Sequence, residues 1–291
     1  MSLIKYQILL KTVELGGITK AAEALGYTQS AASRMIAALE QEWDMELLVR
    51  SRGGVRLSSA GETLLPYLRA VCGAHKELEE QVADLHGLTR GTLRVGTFTS
   101  VSIHWLPPIM KQFLQRYPGI RFELVSSWEF AEIEDMVHQG AVDCGFLGLP
   151  AGEGLDVIPL RQDRLLAVLP PDHPLAHAPC YPMERFVQDP YIRINEERDV
   201  EISRIFQEEG IHPNLQYTVN DDFAILSMVE QGLGVSILPE LVLQSSNRTF
   251  SAVPLEHPRS RQIGVAVRSG KPLSPLTTRF LEVVRQWTAA Q

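Results

Sequence analysis

Residues 19–40 have the sequence TKAAEALGYTQSAASRMIAALE, whose spacing decides the fold of the N-terminal region. Ala22 is a small residue where two helices can press together, Gly26 follows four residues later, and Ala32 follows six residues after that. Gly26 tolerates backbone conformations that side chains forbid, so it suits a tight turn between helices. The spacing therefore predicts a helix–turn–helix, whose second helix can enter a major groove.

The apolar periodicity on both sides of this turn predicts further helical structure. A first helix is predicted to end at Gly16, a second to begin at the N-cap Thr19, and a third to run over Gln29–Glu42 after the N-cap Thr28. One face of the third helix carries apolar residues at 3.6-residue spacing, namely Ala32, Met35, Ile36 and Leu39. The rest of that helix is then left to face solvent or a partner.

A two-stranded hairpin is predicted after the third helix, because Leu47–Val49 and Val55–Leu57 flank the turn Arg52-Gly53-Gly54. The stretch from Leu47 to Gly61 contains no acidic residue. Its three arginines are Arg50, Arg52 and Arg56. Such a hairpin beside a recognition helix is expected to contact the phosphate backbone. The alternative is a small helical subdomain with a solvated arginine loop.

The charge distribution allows a nucleic-acid partner although the total charge of −8 argues against one. Residues 1–60 contain seven basic and six acidic side chains, whereas residues 91–291 contain seventeen and twenty-four. The chain of 291 residues is long enough for about two domains. Its 45% of apolar and 21% of charged residues exclude bulk disorder and collagen-like folds. A weakly charged small domain can thus bind phosphates beside a separate acidic domain.

The sequence also bears on the compartment of the protein. The longest apolar runs are far shorter than the ~18–20 residues of a membrane span, and no signal peptide is visible. Three cysteines cannot form a disulfide framework. We therefore expect a soluble, cytoplasmic protein with no membrane partner.

A long helix is predicted over Ser58–His86, between the N-terminal domain of residues 1–58 and a large domain of residues 91–291. Pro66 lacks a backbone N–H, so we expect a bend near it and regular helix from about Leu68. A 3.5-residue repeat is formed by Leu64, Leu68, Val71, His75, Leu78, Val82 and Leu85. Such a repeat presents one seam to a partner helix. Residues 59–90 are thus predicted to be a dimerising linker, with contacts from Leu68, Val71, Leu78, Val82 and Leu85.

From Gly91 onward, predicted strands alternate with predicted helices, which indicates an α/β domain with mostly parallel sheets, in one sheet or two lobes. The predicted strands are Thr92–Gly96, Arg121–Val125, Ala141–Leu147, Leu165–Leu169, Pro190–Ile194, Gln216–Val219, Val235–Leu238 and Gln262–Val267. The predicted helices are Leu106–Arg116, Val200–Glu209, Asp222–Gln231 and Leu276–Trp287.

A ligand site is predicted where the first of these strands passes into a helix. Open α/β folds bind ligands in the crevice at the carboxyl ends of their strands, and a helix N-terminus attracts anions. The hydroxyls at this position belong to Thr99, Ser100 and Ser102. Capping of the helix alone is the alternative role for them. Residues after other strands that would face the same crevice are Ser126, Ser127, Trp128, Arg193 and Asn195. The expected ligand is a small anionic metabolite.

No pattern indicates catalysis, a metal site or a cofactor. The chain contains no G-x-S-x-G elbow and no P-loop, and the prolines around His173 make a metal-binding pair with His177 a poor candidate. Two rival interpretations remain: an enzyme or solute-binding protein with the same two-lobed fold, and a redox regulator. A reactive pair of Cys144 and Cys180 is disfavoured by their separation in the chain.

The chain resembles the LysR-type transcriptional regulators. In the N-terminal region the resemblance rests on Thr19, Ala21, Ala22, Leu25, Gly26, Gln29, Ser30, Ala31, Ser33, Ile36, Leu39, Glu40, Leu47, Leu48, Arg50, Leu57, Ser58, Ala60 and Gly61. In the large domain it rests on Gly91-x-Leu93-Arg94-Val95-Gly96, Leu106-Pro107, Phe113, Tyr117-Pro118, Asp143, Gly145, Asp172-His173-Pro174-Leu175-Ala176 and Met228-Val229-x-x-Gly232-x-Gly234-Val235-x-x-Leu238-Pro239. The turn Trp43-Asp44-Met45 lacks the family's usual glycine, which we interpret as a capping variation.

The resemblance implies an N-terminal all-α winged helix–turn–helix, a linker helix and an α/β effector domain of two lobes, like the type 2 periplasmic binding proteins. Lobe I would comprise residues 91–161 and 268–291, and lobe II residues 162–267. The chain would cross between them near Leu160–Gln162 and near Val265–Arg268. Such regulators are usually homotetramers that bind two sites near a promoter and respond to a small effector between the lobes.

These expectations name a set of partners and contact residues. The partners are double-stranded promoter DNA, a small-molecule effector, a second copy of the chain in a homodimer or homotetramer, and RNA polymerase as a candidate. Base-edge contacts are expected from Gln29, Ser33 and Arg34, because glutamine suits adenine and arginine suits guanine. The predicted DNA-binding set is Thr28, Gln29, Ser30, Ser33, Arg34, Arg50, Arg52 and Arg56.

Overall fold

The N-terminal elements follow the predicted order of helices and hairpin in the computed structural model, which describes residues 3–51, 54–85, 90–195, 200–244 and 249–291. The elements are α1 (Leu3–Leu15), α2 (Ile18–Ala24), α3 (Gln29–Trp43), β1 (Leu48–Ser51), β2 (Gly54–Leu57) and α4 (Ser59–Leu85). They belong to one compact unit, Met1–Gly91, and a second unit comprises most of Thr92–Gln291. Among the described helices, none combines the length and apolarity needed to cross a bilayer.

The helix–turn–helix is held by a core that its own apolar periodicity builds. Ala22 of α2 and Ala32 of α3 are fully buried, so the two helices meet at small side chains as the spacing predicts. Gly26 in the turn between them has φ of 73°, a left-handed conformation that glycine adopts without steric cost. Ile36 and Leu39 complete the buried face of α3. The predicted helix–turn–helix is thus present in the structure.

The start of α2 differs from the prediction, and the end of α3 shows how the chain manages without a glycine. The N-cap of α2 is Gly17, which makes no side-chain hydrogen bond, so the prediction that Thr19 caps this helix was wrong. Thr19 lies inside α2, because the helix begins directly after the Gly16-Gly17 break. At the end of α3, Asp44 takes the left-handed conformation with φ of 51°. Aspartate is one of the few residues that adopt this conformation routinely, so it serves where the family's usual glycine is missing.

The linker helix α4 differs from the prediction at its start. It runs continuously from Ser59 through Pro66, so the expectation that regular helix begins near Leu68 was wrong. Ser58 explains the early start, because its Oγ accepts the backbone N–H of Gly61 at 3.0 Å and caps the first turn.

The large unit contains the alternating strands and helices that the sequence predicts. Its strands are β3 (Gly91–Thr97), β4 (Ile120–Ser126), β5 (Cys144–Leu149), β6 (Leu155–Leu169), β7 (Tyr191–Ile194), β8 (Leu215–Val219), β9 (Ser236–Pro239) and β10 (Ser251–Arg268). Its helices are α5 (Thr99–His104), α6 (Leu106–Arg116), α7 (Phe130–His138), α8 (Arg185–Gln188), α9 (Val200–Glu208), α10 (Asp222–Glu230), α11 (Glu240–Leu243) and α12 (Pro275–Ala289).

The main sheet is mixed, so the prediction of mostly parallel sheets was wrong. Its strand order is β4-β3-β5-β10-β6-β9, and a separate sheet pairs β7 with β8. The pairs β3–β5 and β7–β8 are parallel, whereas β10 pairs antiparallel with both β5 and β6, and β6 pairs antiparallel with β9. The error arose because β6 and β10 are 15 and 18 residues long, and only their apolar ends were predicted as strands.

The two long strands, β6 and β10, pair with each other along most of their length. Their pairing extends from Leu155↔Arg268 at one end to Leu169↔Ser251 at the other. Residues Gln262–Ala266 of β10 pair with β5 as well as with β6, so this part of β10 lies between those two strands in the sheet. The crossings between lobes that the resemblance places near Leu160–Gln162 and near Val265–Arg268 stay predictions.

Candidate functional site

The outward face of α3 presents the side chains predicted to contact DNA. Thr28 caps the helix, because its Oγ1 accepts the backbone N–H of Ala31 at 3.2 Å. Gln29, Ser30 and Arg34 are exposed, and Ser33 is half-buried. Arg34 donates from Nε to the carbonyl of Ser30 at 3.3 Å, which holds the arginine stem along the helix. The buried face of α3 therefore sets a polar and basic face outward.

The hairpin contributes one arginine whose side chain is described. Arg56 lies exposed on β2, opposite Val49 of β1. Arg50 lies on β1 opposite Val55, but its side chain is outside the described residues, as is the whole of Arg52. The predicted phosphate contacts of Arg50 and Arg52 therefore stay predictions.

The predicted seam of α4 divides into two parts. Leu68 is only 4% exposed and packs in the core of the N-terminal unit, so its assignment to a dimer contact was wrong. The apolar repeat runs without a break along α4, so the sequence does not distinguish its two parts. The first turns bury their apolar residues within the N-terminal unit of the same chain. Further along, Val71, Leu78 and Val82 are exposed, as expected of a face awaiting a partner. The side chain of Leu85 lies outside the described residues.

A cavity of about 410 Å³ lies in the large unit. We call it the effector cavity; its polar and charged lining residues include Thr99, Ser100, Ser127, Glu129, Glu201, Arg204, Asp222 and Arg261. Its apolar wall includes Phe98, Trp128, Phe130, Leu149, Pro150, Leu165, Ile194, Ile202, Leu238 and Val242. Its size falls within the range of about 300–1,000 Å³ that is usual for sites of small molecules.

Four of the predicted ligand-contact residues line the effector cavity, namely Thr99, Ser100, Ser127 and Trp128. Ser100 is 4% exposed, while Trp128 presents more than half of its surface. The Ser127 Oγ accepts the backbone N–H of Glu129 at 3.1 Å and donates to the Glu132 carboxylate. The Ser127 hydroxyl is therefore already used in the turn before α7.

The other four predicted residues are not among those that line the cavity. Ser102 donates from Oγ to Thr97 Oγ1 at 3.1 Å, so its hydroxyl is directed toward β3. Ser126 is exposed at the end of β4. The half-buried Arg193 and Asn195 lie on and just after β7, where Asn195 N–H donates to the β8 carbonyl of Val219.

Arg261 is a half-buried cation in the cavity lining, whereas Arg193, which the sequence placed at the crevice, does not line it. Arg261 lies on β10 directly opposite Asp163 of β6, and its Nη2 is 2.8 Å from the Asp163 carboxylate. The same guanidinium donates to Ser100 Oγ at 3.4 Å and lies 5.3 Å from the centre of the Phe98 ring. Asp163 in turn accepts the backbone N–H of Leu241 at 2.9 Å. Arg261 is thus held at the cavity wall by a buried carboxylate and a ring face.

Two family models together match most of the chain. Residues 3–62 match the model of the bacterial regulatory helix-turn-helix protein, lysR family, and residues 86–289 match the LysR substrate binding domain. The chain belongs to the LysR family of transcriptional regulators. It is a DNA-binding regulator of transcription that joins a helix–turn–helix to an effector-binding domain.

Two curated relatives match this LysR-family regulator over almost its whole length. The probable HTH-type transcriptional regulator LrrA of Synechococcus elongatus is 33% identical over 98% of this chain and 97% of its own. The uncharacterized HTH-type transcriptional regulator YvbU of Bacillus subtilis is 29% identical over all of both chains.

Three solved structures share the fold. A full-length OxyR variant from Pseudomonas aeruginosa superposes with a TM-score of 0.78 at 21% identity, covering 99% of this chain and 94% of its own. Full-length CbnR in complex with its target DNA has a TM-score of 0.70 at 22% identity, covering 98% and 99%. The regulatory domain of Synechocystis PCC6803 CcmR in complex with 2-PG has a TM-score of 0.64 at 23% identity, covering 68% and 98%. These likenesses show the fold.

Proposed function

We propose that this regulator binds promoter DNA through α3 and the β1–β2 hairpin, and that a small effector with an anionic group, bound in the effector cavity, controls this binding. The observation that supports the proposal most is the convergence of the Arg261 guanidinium with the hydroxyl of Ser100 on a cavity of small-molecule size. The solved complex of CcmR with 2-PG adds support, since its regulatory domain shares the fold.

The anionic group is assigned to the Arg261 side of the cavity. A guanidinium has five N–H donors, which is more than Asp163 and Ser100 use, so donors remain for a carboxylate or phosphate oxygen. Arginine also binds such groups in two-pronged geometry. The hydroxyl of Thr99, which is half-buried in the lining, supplies a further donor. The apolar residues of the cavity wall lower the local dielectric, which strengthens each of these contacts.

On the DNA side, Gln29, Ser33 and Arg34 are assigned to base edges. Thr28 and Ser30, at the start of α3, and the hairpin arginines are assigned to the phosphate backbone. The exposed side chains of Val71, Leu78 and Val82 support pairing of α4 with a second copy of the chain, because an apolar stripe of that length normally finds a partner. RNA polymerase is the further partner of such a regulator.

The effector assignment is tested with two arginine variants of the full-length protein. Sodium salts of small carboxylic acids and phosphate esters are screened for an increase in melting temperature, and binders are then added to gel shifts. Arg261→Met is expected to abolish both responses. Arg193→Met is the matched control, because Arg193 lies in the same domain but does not line the cavity. A response that survives in Arg261→Met and disappears in Arg193→Met would reverse the assignment.

The DNA assignment is tested by gel shifts with specific and scrambled duplexes. Arg34→Ala is expected to reduce discrimination between them by about 1–3 kcal/mol if the arginine contacts a guanine. Arg56→Ala is expected to weaken both duplexes alike and to reduce the slope of affinity against salt by about one. If Arg34→Ala binds both duplexes with the affinity and the sequence preference of the wild type, the assignment of Arg34 to a base edge is wrong.

A further inference from the structure

The charges of the effector cavity do not suit a ligand that is only an anion. The lining contains two arginines, Arg204 and Arg261, but also three carboxylates, Glu129, Glu201 and Asp222. Arg261 moreover pairs with the buried carboxylate of Asp163. A purely anionic ligand would gain the donors of Arg261 and would at the same time approach carboxylates of like charge. The cavity therefore presents opposite charges side by side.

Glu201 is the carboxylate placed to act together with Arg261. It is the second residue of α9, it is exposed and lines the cavity, and the protein atoms near it still exclude enough water that desolvation raises the pKa of its carboxyl. Arg261 and Arg204 act against this rise of the pKa, and Asp163 adds to it. Within the described part of the chain, no protein group donates a hydrogen bond to Glu201. A donor brought by a ligand would offset the part of its hydration that the carboxylate has lost.

We infer that the effector is a small zwitterion, whose anionic group binds at Ser100 and Arg261 and whose ammonium group binds at Glu201. This inference rests on the proposed function and specifies its ligand. The ammonium group would provide Glu201 with hydrogen-bond donors and a positive charge, while the carboxylate would receive the remaining donors of Arg261. Each pole of such a ligand thus meets its opposite in the cavity wall, and the net charge of the site does not change.

The remaining lining gives the body of the ligand an apolar surface. Phe98 and Phe130 pack edge to face with ring centres 5.2 Å apart, and Trp128 presents an exposed ring beside them. The Phe130 ring fits against Gly148 only because glycine has no side chain, since a Cβ at Gly148 would lie 2.5 Å from the ring. An α-amino acid with an apolar side chain carries a carboxylate, an ammonium group and an apolar group that can pack against this wall.

The test is calorimetric titration of the full-length protein with the twenty protein amino acids. For each binder, three matched compounds follow: the carboxylic acid that lacks the amine, the corresponding 2-hydroxy acid, and the amine that lacks the carboxylate. The zwitterion is expected to bind about 10- to 100-fold more tightly than the acid and the amine, as for loss of a hydrogen bond to a charged group. Because these arms use the wild-type protein, they do not depend on the folding of any variant.

Two variants then locate the ammonium group. Glu201→Gln is expected to weaken the zwitterion about 10-fold or more and to leave the affinity for the acid without an amine unchanged or higher. Glu208→Gln, at an exposed carboxylate of the same helix that does not line the cavity, is the matched control and is expected to leave the preference for the zwitterion intact.

The outcomes separate the inference from the proposed function. If simple carboxylates bind as tightly as their amino acids, or if Glu201→Gln keeps the full preference for the amine, the zwitterion is refuted and an anionic effector stands. Binding of the 2-hydroxy acid at equal strength also refutes the need for an ammonium charge. If neither the amino acids nor the panel of carboxylates and phosphate esters binds, both the inference and the proposed effector site fail.

Discussion

Gly61 offers a sharp test of how the hairpin is joined to the linker helix. It lies in the first turn of α4, where a Cβ would be 2.3 Å from the carbonyl oxygen of Leu47 and 2.8 Å from a methyl group of Leu57. That oxygen already accepts the N–H of Ser58 at 2.9 Å, so it cannot easily move away. Replacing Gly61 by alanine therefore forces the hairpin away from α4, although alanine is the better helix former.

The expected loss follows from two opposing effects. Alanine in a helix interior gains about 1 kcal/mol over glycine, whereas overpacking against a fixed backbone atom costs up to about 3 kcal/mol. We expect Gly61→Ala to lower the local stability of the N-terminal unit by about 2 kcal/mol. Hydrogen exchange of full-length protein, followed by mass spectrometry, would then become roughly 30-fold faster in peptides from α1, α3 and the hairpin.

Gly73 provides the matched control in the same helix. A Cβ at Gly73 would meet nothing within 4 Å, so Gly73→Ala is expected to stabilise α4 by up to about 1 kcal/mol and to slow its exchange. DNA affinity is expected to fall in Gly61→Ala alone, because that variant displaces the hairpin. If Gly61→Ala exchanges at the wild-type rate or slower, the close approach to Leu47 does not constrain the unit and the argument is refuted.

Three further predictions concern other parts of the chain. Thr28→Ala removes the cap of α3 and is expected to cost about 1 kcal/mol, measured as faster exchange confined to α3, with equal rates refuting the cap. Leu78→Asp is expected to shift the protein toward monomer in light scattering, and a monomeric wild type at micromolar concentration would contradict the assigned dimer face. Burial, together with the hydrogen bond to Asp189, raises the pKa of Tyr181 far above its ordinary value near 10. This contribution to stability is complete below about pH 10 and is lost as the pH rises further, so Tyr181→Phe is expected to reduce the alkaline loss of stability; equal loss would refute it.

The extent to which the sequence predicts the candidate sites depends on how local each feature is. The outward face of α3 was predictable, since the burial of Ala32, Ile36 and Leu39 follows from their spacing on one helix. The hydroxyls of Thr99 and Ser100 were predictable as well, because they directly follow a strand whose end faces a crevice. In each case neighbours in the chain determine the direction of a side chain.

Arg261 and Glu201 could not be recognised as members of the cavity in this way. Arg261 meets Asp163 and Ser100 only because β10 pairs with β6 and passes α5, and these partners are 98 and 161 residues away in the chain. The polar run around Arg261 matches a surface loop as well as a strand, and Glu201 lies on a helix whose pattern does not show which groups face it. No local periodicity distinguishes loop from strand around Arg261, since the distinction arises from strand pairing.

The sequence by itself determined the helix–turn–helix, its capping residue Thr28, and the alternation of strands and helices after Gly91, because these depend on spacing within one or two elements. The tertiary structure alone decided that Leu68 is buried, that the sheet is mixed, and that Arg261 lies in the wall of the effector cavity. The physical reason is that burial, strand direction and charge pairing are properties of segments distant in the chain, which only the folded protein brings into contact.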